Sequence, residues 1–264
     1  MIGVVIYGIA TDAGEKALTA GERLFELFSL SISEVTRYEE TKPDADGETL
    51  HLVEATLDEI RNRLSIDSHE SFYIYDTATS EKPWRAMFYH SSYAYGSFPH
   101  IGGNVPGSIS DNALQLKDFF FEISQMVPYR YAIGFDIKSA SLATSYCAGE
   151  GSVGVLPNEN VFKFTQEQPG RFDGKESYLT AKLRMVYPIN ILNETQCQMV
   201  IEGKTLKDGV ENTSDLGALT AWPNGHFLWE VPQQRLDEVN AWLGNAGKLI
   251  SWQVQNKRSV RRLP

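Results

Sequence analysis

Ala218-Leu219-Thr220-Ala221-Trp222-Pro223-Asn224-Gly225-His226-Phe227-Leu228-Trp229-Glu230 sets two apolar runs on either side of a Pro-Asn-Gly turn. Asn-Gly supplies the positive backbone angles that a tight hairpin needs, so the stretch predicts antiparallel strands over 218–222 and 226–230. Downstream, Pro232 suits the first turn of a helix carrying Leu236, Val239, Trp242 and Leu243, closed by Gly244 or Gly247, with a final strand over Leu249–Val254. Upstream, Leu183–Leu192 is rich in strand formers, Met199–Glu202 reads as a short strand and Thr205–Val210 as a helical turn.

The N-terminal part repeats the mixture of strands and helices. Ile2–Gly8 is apolar on both faces, as a central strand is. Asp12 and Glu15 have capping-box spacing ahead of an apolar-periodic run to about residue 29, and Thr56 with Glu59 repeats that spacing before Leu57, Ile60 and Leu64. Strands are expected over Ser33–Glu40, Leu50–Val53, Phe72–Tyr75 and Trp84–Tyr95. Gly96–Ser110 is rich in Gly, Pro and Ser and reads as a loop; Asp111 then caps a helix that Pro128 stops, and Tyr131–Ile137 is a strand. Residues 138–180 have no clear period. The expected fold class is α+β, with two packed α/β sandwich-like halves over 1–130 and 131–264 and mixed or antiparallel sheets.

Of 264 residues, 42% are hydrophobic and 22% charged, which excludes a disordered tail, a collagen-like rod and a coiled coil. No stretch approaches the ~18 apolar residues of a membrane helix. Met1–Ala10 lacks the basic start of a signal peptide, so a cytoplasmic location without membrane contact is expected. Cys147 and Cys197 are too few for a disulfide framework or a structural zinc site.

The charge is uneven. The net is −10, and all of the excess lies in 1–130, which holds 20 acids and 10 bases. Glu39–Glu81 alone carries −9. Such a surface repels nucleic acid and anionic membranes and attracts basic partners. Tyr89, Tyr93, Tyr95 and Phe98 cluster beside it, with Tyr73 and Tyr75 expected on the neighbouring strand. Aromatic anchors next to carboxylates are the composition of a protein-binding surface. The residues expected to bind are Glu39, Glu40, Asp44, Asp46 and Glu48 for steering, and Tyr93, Tyr95 and Phe98 as anchors.

Motifs for chemistry are few. Gly149-Glu150-Gly151-Ser152-Val153-Gly154 matches G-x-G-x-x-G, but Pro157 follows closely and forbids the helix that a dinucleotide site requires. Asp44-Ala45-Asp46-Gly47-Glu48 puts Gly fourth, not sixth, and Ala55 at the twelfth position, so it is no EF-hand loop. His51, His69, His90, His100 and His226 form no H-x-x-x-H pair, and nothing near Cys147 marks it as a nucleophile. No cofactor, metal or catalytic residue is expected. The alternative is a small-molecule enzyme with a pocket in the 96–110 and 145–157 loops.

Tyr187-Pro188-Ile189-Asn190-Ile191-Leu192-Asn193, Gly217-Ala218-Leu219, Asn224-Gly225, Leu228-Trp229-Glu230-Val231-Pro232 and Trp242-Leu243-Gly244-Asn245-Ala246-Gly247 together resemble the bacterial immunity protein 52 family. The resemblance covers about 60 residues and carries packing and turn positions only. It implies an immunity protein, linked to type VI secretion effectors, that neutralises a cognate toxin by stoichiometric binding without catalysis. It further implies a nuclease of restriction-endonuclease fold as the toxin, whose basic DNA cleft an acidic plug would suit.

Overall fold

The computed structural model describes residues 1–40, 50–77, 84–92, 99–152, 154–168, 172 and 174–254. Ile2–Tyr7 (β1) is buried along its whole length. Ile2, Val4 and Ile6 enter one apolar cluster, and Val5 and Tyr7 enter another on the opposite side. That two-sided burial fixes β1 as the middle of a sheet covered on both faces.

The elements follow in the order α1 (Gly14–Leu27), β2 (Glu34–Glu40), β3 (Leu50–Ala55), α2 (Leu57–Ile66), β4 (Phe72–Asp76), β5 (Ala86–Ser91), β6 (His100–Val105), α3 (Ile109–Met126), β7 (Tyr131–Asp136), α4 (Ala140–Cys147), α5 (Val161–Thr165), β8 (Ile189–Asn193), α6 (Glu194–Cys197), β9 (Val200–Ile201), β10 (Lys204–Thr205), α7 (Leu206–Glu211), β11 (Ala218–Ala221), β12 (His226–Glu230) and α8 (Leu236–Asn245). Among the described residues ten strands form one sheet in the order β11-β12-β8-β7-β1-β6-β5-β4-β2-β3, and β9 pairs only with β10. Every pairing in the large sheet is antiparallel. The fold is α+β. Residues 1–130 and 131–264 meet inside this one sheet, because β1 pairs with β7 from Ile2↔Asp136 to Tyr7↔Tyr131. Helices α1, α2 and α3 bury their apolar sides with Ile2, Val4 and Ile6; α4 to α8 bury theirs with Val5 and Tyr7. None of the described helices is long and apolar enough to cross a membrane.

The hairpin is present as β11 and β12, and the Thr56–Glu59 capping box closes both of its hydrogen bonds. Other expectations give way. Helix α1 starts at Gly14, and Asp12 caps nothing; the Ser68 carbonyl accepts the Gly14 amide at 3.2 Å instead. His100–Val105, read as loop, is the fully buried strand β6 between β1 and β5. Its glycines misled the reading, yet they are what the sheet uses. Gly102 lies opposite Tyr89, and a Cβ on Gly102 would overlap the tyrosine ring. The final strand over Leu249–Val254 is absent. That segment runs beside residues 183–184 through Ile250 N–H to Leu183 O at 2.9 Å and Ser251 N–H to Arg184 O at 3.0 Å, outside the sheet. The strand expected from Leu183 begins only at Ile189.

Arg184 is fully buried. Its Nη1 donates to Tyr7 Oη at 2.9 Å and to the Tyr146 carbonyl at 2.6 Å. Its Nε stands 3.7 Å from Glu159 Oε1. The guanidinium carbon lies 3.6 Å from the Tyr146 ring centroid and 4.3 Å from that of Phe164. Glu159 is itself saturated by the Tyr146 hydroxyl at 2.5 Å and the Val155 amide at 2.9 Å.

Truncating one member of such a buried pair strands the other charge. Arg184→Ala should therefore cost about 3–5 kcal/mol in urea-unfolding free energy, while Arg184→Met combined with Glu159→Gln should cost distinctly less. A second expectation concerns pH. Burial holds His90 and, at its more open site, His226 below the ordinary histidine value of 6.5. The unfolded chain then takes up protons first, so stability is full above about pH 6.5 and is lost as pH falls below it. Denaturation midpoints should drop between pH 7 and 5, and His90→Gln should flatten that slope.

Candidate functional site

Strands β2, β4 and β5 carry tyrosines on the face opposite α1–α3. Tyr73 lies across from Tyr89 and, on its other side, from Thr36. The Tyr73 and Tyr89 rings stack at 5.2 Å, and Tyr38 meets Tyr73 edge-on at 5.8 Å. Tyr89 meets His100 edge-on at 5.3 Å, with its Oη 3.0 Å from His100 Nε2. Over this floor α4 stops. Thr144, Ser145, Ala148 and Glu150 form a wall, and Ser71 and Ser91 complete a cleft of about 260 Å³. Burial pushes the Tyr73 phenol far above the ordinary tyrosine value, and the neighbouring Tyr38 hydroxyl and Glu150 carboxylate push the same way. Burial does the same to Tyr89. Both phenols therefore stay neutral.

The loops of the enzyme alternative do converge here, through His100 on one side and Ser145, Ala148 and Glu150 on the other. The volume lies below the ~300–1,000 Å³ of small-molecule sites. A larger hollow of about 810 Å³ lies by Gly8, Arg130 and Asn224 and gathers none of the eight residues expected to bind.

Of the eight residues expected to bind, Glu39 is exposed and pairs with Arg37 at 3.4 Å. It sits on the side of α2, where it acts on Arg63, whereas Tyr38 faces the cleft. Glu40 ends β2. Asp44, Asp46, Glu48, Tyr93, Tyr95 and Phe98 lie outside the described residues. Residues 93–98 connect Ser91 to His100, both of which line the cleft. Tyr38, His100 and Glu150 were not singled out as binding residues; they come together only through the β2–β4–β5–β6 order and the placement of α4.

Other sequence candidates are inert. Cys147 is fully buried, its Sγ donates to the Val4 carbonyl at 3.4 Å, and burial pushes its thiol up to about 12. Among the described residues no group of three His, Cys, Asp or Glu could hold a metal ion. The Gly-rich segment follows helix α4, not a strand. The Val155 and Leu156 amides after it, which a phosphate would need, already donate to Glu159 Oε2 at 2.9 and 3.3 Å. Gly151 has φ +92°, a backbone angle that an L-side chain resists. Gly151→Ala should therefore cost about 1–2 kcal/mol in denaturant melts. Acid extracts of the purified wild type should contain no dinucleotide by chromatography.

No family model matches this chain, and no curated protein does. In structure it is similar to Pseudomonas aeruginosa T6SS protein PA0821, at TM-score 0.55 and 10% identity, over 97% of this chain and 76% of that one. A looser match, at TM-score 0.29 and 12% identity, covers 53% of this chain and 87% of a chain from the complex of the toxic C-terminal tip of CdiA of Pseudomonas aeruginosa with its immune protein. The first establishes a shared fold: this chain has the fold of PA0821 over nearly its full described extent.

Proposed function

We propose that this chain is an immunity protein that neutralises a cognate antibacterial toxin by stoichiometric binding in the cytoplasm, and that the toxin is a basic nuclease domain. The observation that carries this reading is the likeness of the whole fold to a T6SS protein. The immunity protein 52 resemblance, quoted above by its residues, points the same way. So does the concentration of the negative charge in residues 1–130, since a nuclease cleft is basic. Within that resemblance Asn190 bonds Tyr187 and the Trp229 carbonyl, and Trp229 is fully buried. Recognition is assigned to the first half, where the acidic excess lies, with Glu39, Glu40, Asp44, Asp46 and Glu48 steering and Tyr93, Tyr95 and Phe98 anchoring.

Co-expression with the product of the adjacent gene tests the reading. The two chains should co-purify in a 1:1 ratio, and rescue of toxin-expressing cells should require equimolar amounts. Rescue by catalytic amounts, or no association with the neighbour's product, would overturn it. A nanomolar complex corresponds to roughly −12 kcal/mol. Steering acts on encounter, so reversing Glu39, Glu40, Asp44 and Asp46 to Lys should slow association about tenfold at low salt. The difference should fade as the Debye length contracts towards ~3 Å at 1 M salt. A folded fourfold variant that associates as fast as wild type at low salt would move the steering surface elsewhere.

A further inference from the structure

We infer that the hollow between Lys16 and Arg130 binds the phosphate of a small phosphate monoester. The inference is independent of the toxin-binding reading.

Strands β12, β8, β7 and β1 are neighbours in the sheet, and their ends meet here: His226 is opposite Asn193, and Tyr131 is opposite Tyr7. The hollow, of about 810 Å³, opens where these ends approach α1, the end of α3 and the Asn224-Gly225 turn. Lys16 enters it from the first turn of α1, and Arg130 from the link between α3 and β7. The main chain of Arg130 is fixed on both sides. Its N–H donates to the Tyr7 carbonyl at 3.1 Å, and its carbonyl accepts from Asn193 Nδ2 at 3.0 Å. Its stem lies on Gly8, where an added Cβ would stand 2.8 Å from Arg130 Cβ and Cγ.

Charge marks this place. Every other described arginine has a carboxylate within 3.7 Å. Arg130 alone has none among the described residues, in a chain with 34 acids, and Lys16 has none either. Glu194, the one acid among the described lining residues, accepts the Gln198 amide at 2.7 Å and pairs with neither cation. The neutral walls are already engaged: Asn193 Nδ2 also donates to the Leu179 carbonyl at 2.9 Å, and Asn224 Nδ2 donates to Ser124 Oγ at 2.7 Å. The two cations are left to meet a guest. A phosphate monoester brings close to two negative charges and three acceptor oxygens, enough for both, where a carboxylate brings one charge. The guanidinium fork matches phosphate oxygens in pairs, and the lysine meets them as a point charge. The volume falls within the ~300–1,000 Å³ of small-molecule sites, so the organic part of the ester fits as well.

The test is an NMR titration of the labelled full chain with glucose 6-phosphate and with adenosine 5′-monophosphate, against glucose, adenosine and inorganic phosphate. Saturable shifts around Lys16, Arg130 and His226 are expected with both monoesters, weaker binding with inorganic phosphate, and none with glucose or adenosine. Arg130→Gln should weaken monoester binding about tenfold, the scale of a charge-assisted hydrogen bond. Lys16→Gln should weaken it about threefold and Glu194→Gln should strengthen it about as much, the scale of exposed charge pairs. Lys204→Gln, outside the hollow, should leave it unchanged. All four side chains are exposed, so the variants keep the fold. His226 gives a second reading. The charged side chains that share the hollow with it are Lys16, Arg130 and Glu194. Burial holds its imidazole below the ordinary value, and the Arg130 charge pushes the same way. A phosphate on Arg130 offsets that repulsion, so the His226 titration midpoint should rise on saturation, as it should in Arg130→Gln without ligand. Equal binding by wild type and Arg130→Gln, monoesters held no tighter than inorganic phosphate, or no saturable shift in the folded wild type would overturn the site.

Discussion

A guanidinium taken fully out of water is the constraint around which this fold is arranged. The groups around Arg184 come from distant parts of the chain: Tyr7 on β1 and the Tyr146 carbonyl on α4 accept from Nη1, the Tyr146 and Phe164 rings lie against the guanidinium, and Glu159 in the turn before α5 stands 3.7 Å from Nε. Burying the pair costs several kcal/mol per ion, so its value lies less in net stability than in excluding other arrangements. A layer shifted over the sheet would leave a naked charge. The main chain at 183–184 then holds the 249–251 segment, which closes the second face. Tyr146, Glu159 and Phe164, from a stretch without a period of its own, all gather on this one side chain.

How much of this is legible in the sequence differs with the range of the forces involved. Local signals read well: the Asn224-Gly225 turn, the Thr56–Glu59 box and the two-sided burial of Ile2–Tyr7 all appear as expected. Tyr73 and Tyr89 are neighbours across adjacent strands, as the tyrosine cluster suggested. Signals that depend on a distant partner do not read. Asp12 and Glu15 have capping spacing, but Ser68 reaches the amide first. His100-Ile101-Gly102-Gly103-Asn104-Val105 has the composition of a loop and the burial of a central strand, because its missing side chains are replaced by Tyr89 from the next strand. Leu249–Val254 has the composition of a strand but bonds to residues 183–184 and 158–160, outside the sheet. The cleft belongs to the second kind: Tyr38, His100 and Glu150 are far apart in sequence and are joined by strand order and the placement of α4.

Charge and aromatic surface prove to be separable. Tyr38 and Glu39 are adjacent, and strand alternation sends the first to the cleft and the second to the α2 side. Part of the acidity is also consumed within the molecule: Asp76 holds Arg85 at 2.5 Å, Glu70 holds Arg63 at 3.0 Å, and Glu22 and Asp58 share Arg61. A count of charges along the chain overstates the field that a partner meets.

Gly102 sits beneath the cleft, on a strand buried at every position. Because Tyr89 rests where a Cβ would be, the depth of the cleft is set from inside the sheet, by a residue that has no side chain. An alanine at this one interior position would displace the Tyr89 ring and reshape the cleft while every exposed side chain stays the same. The shape of that cleft therefore answers to a position that a comparison of surface residues alone never registers.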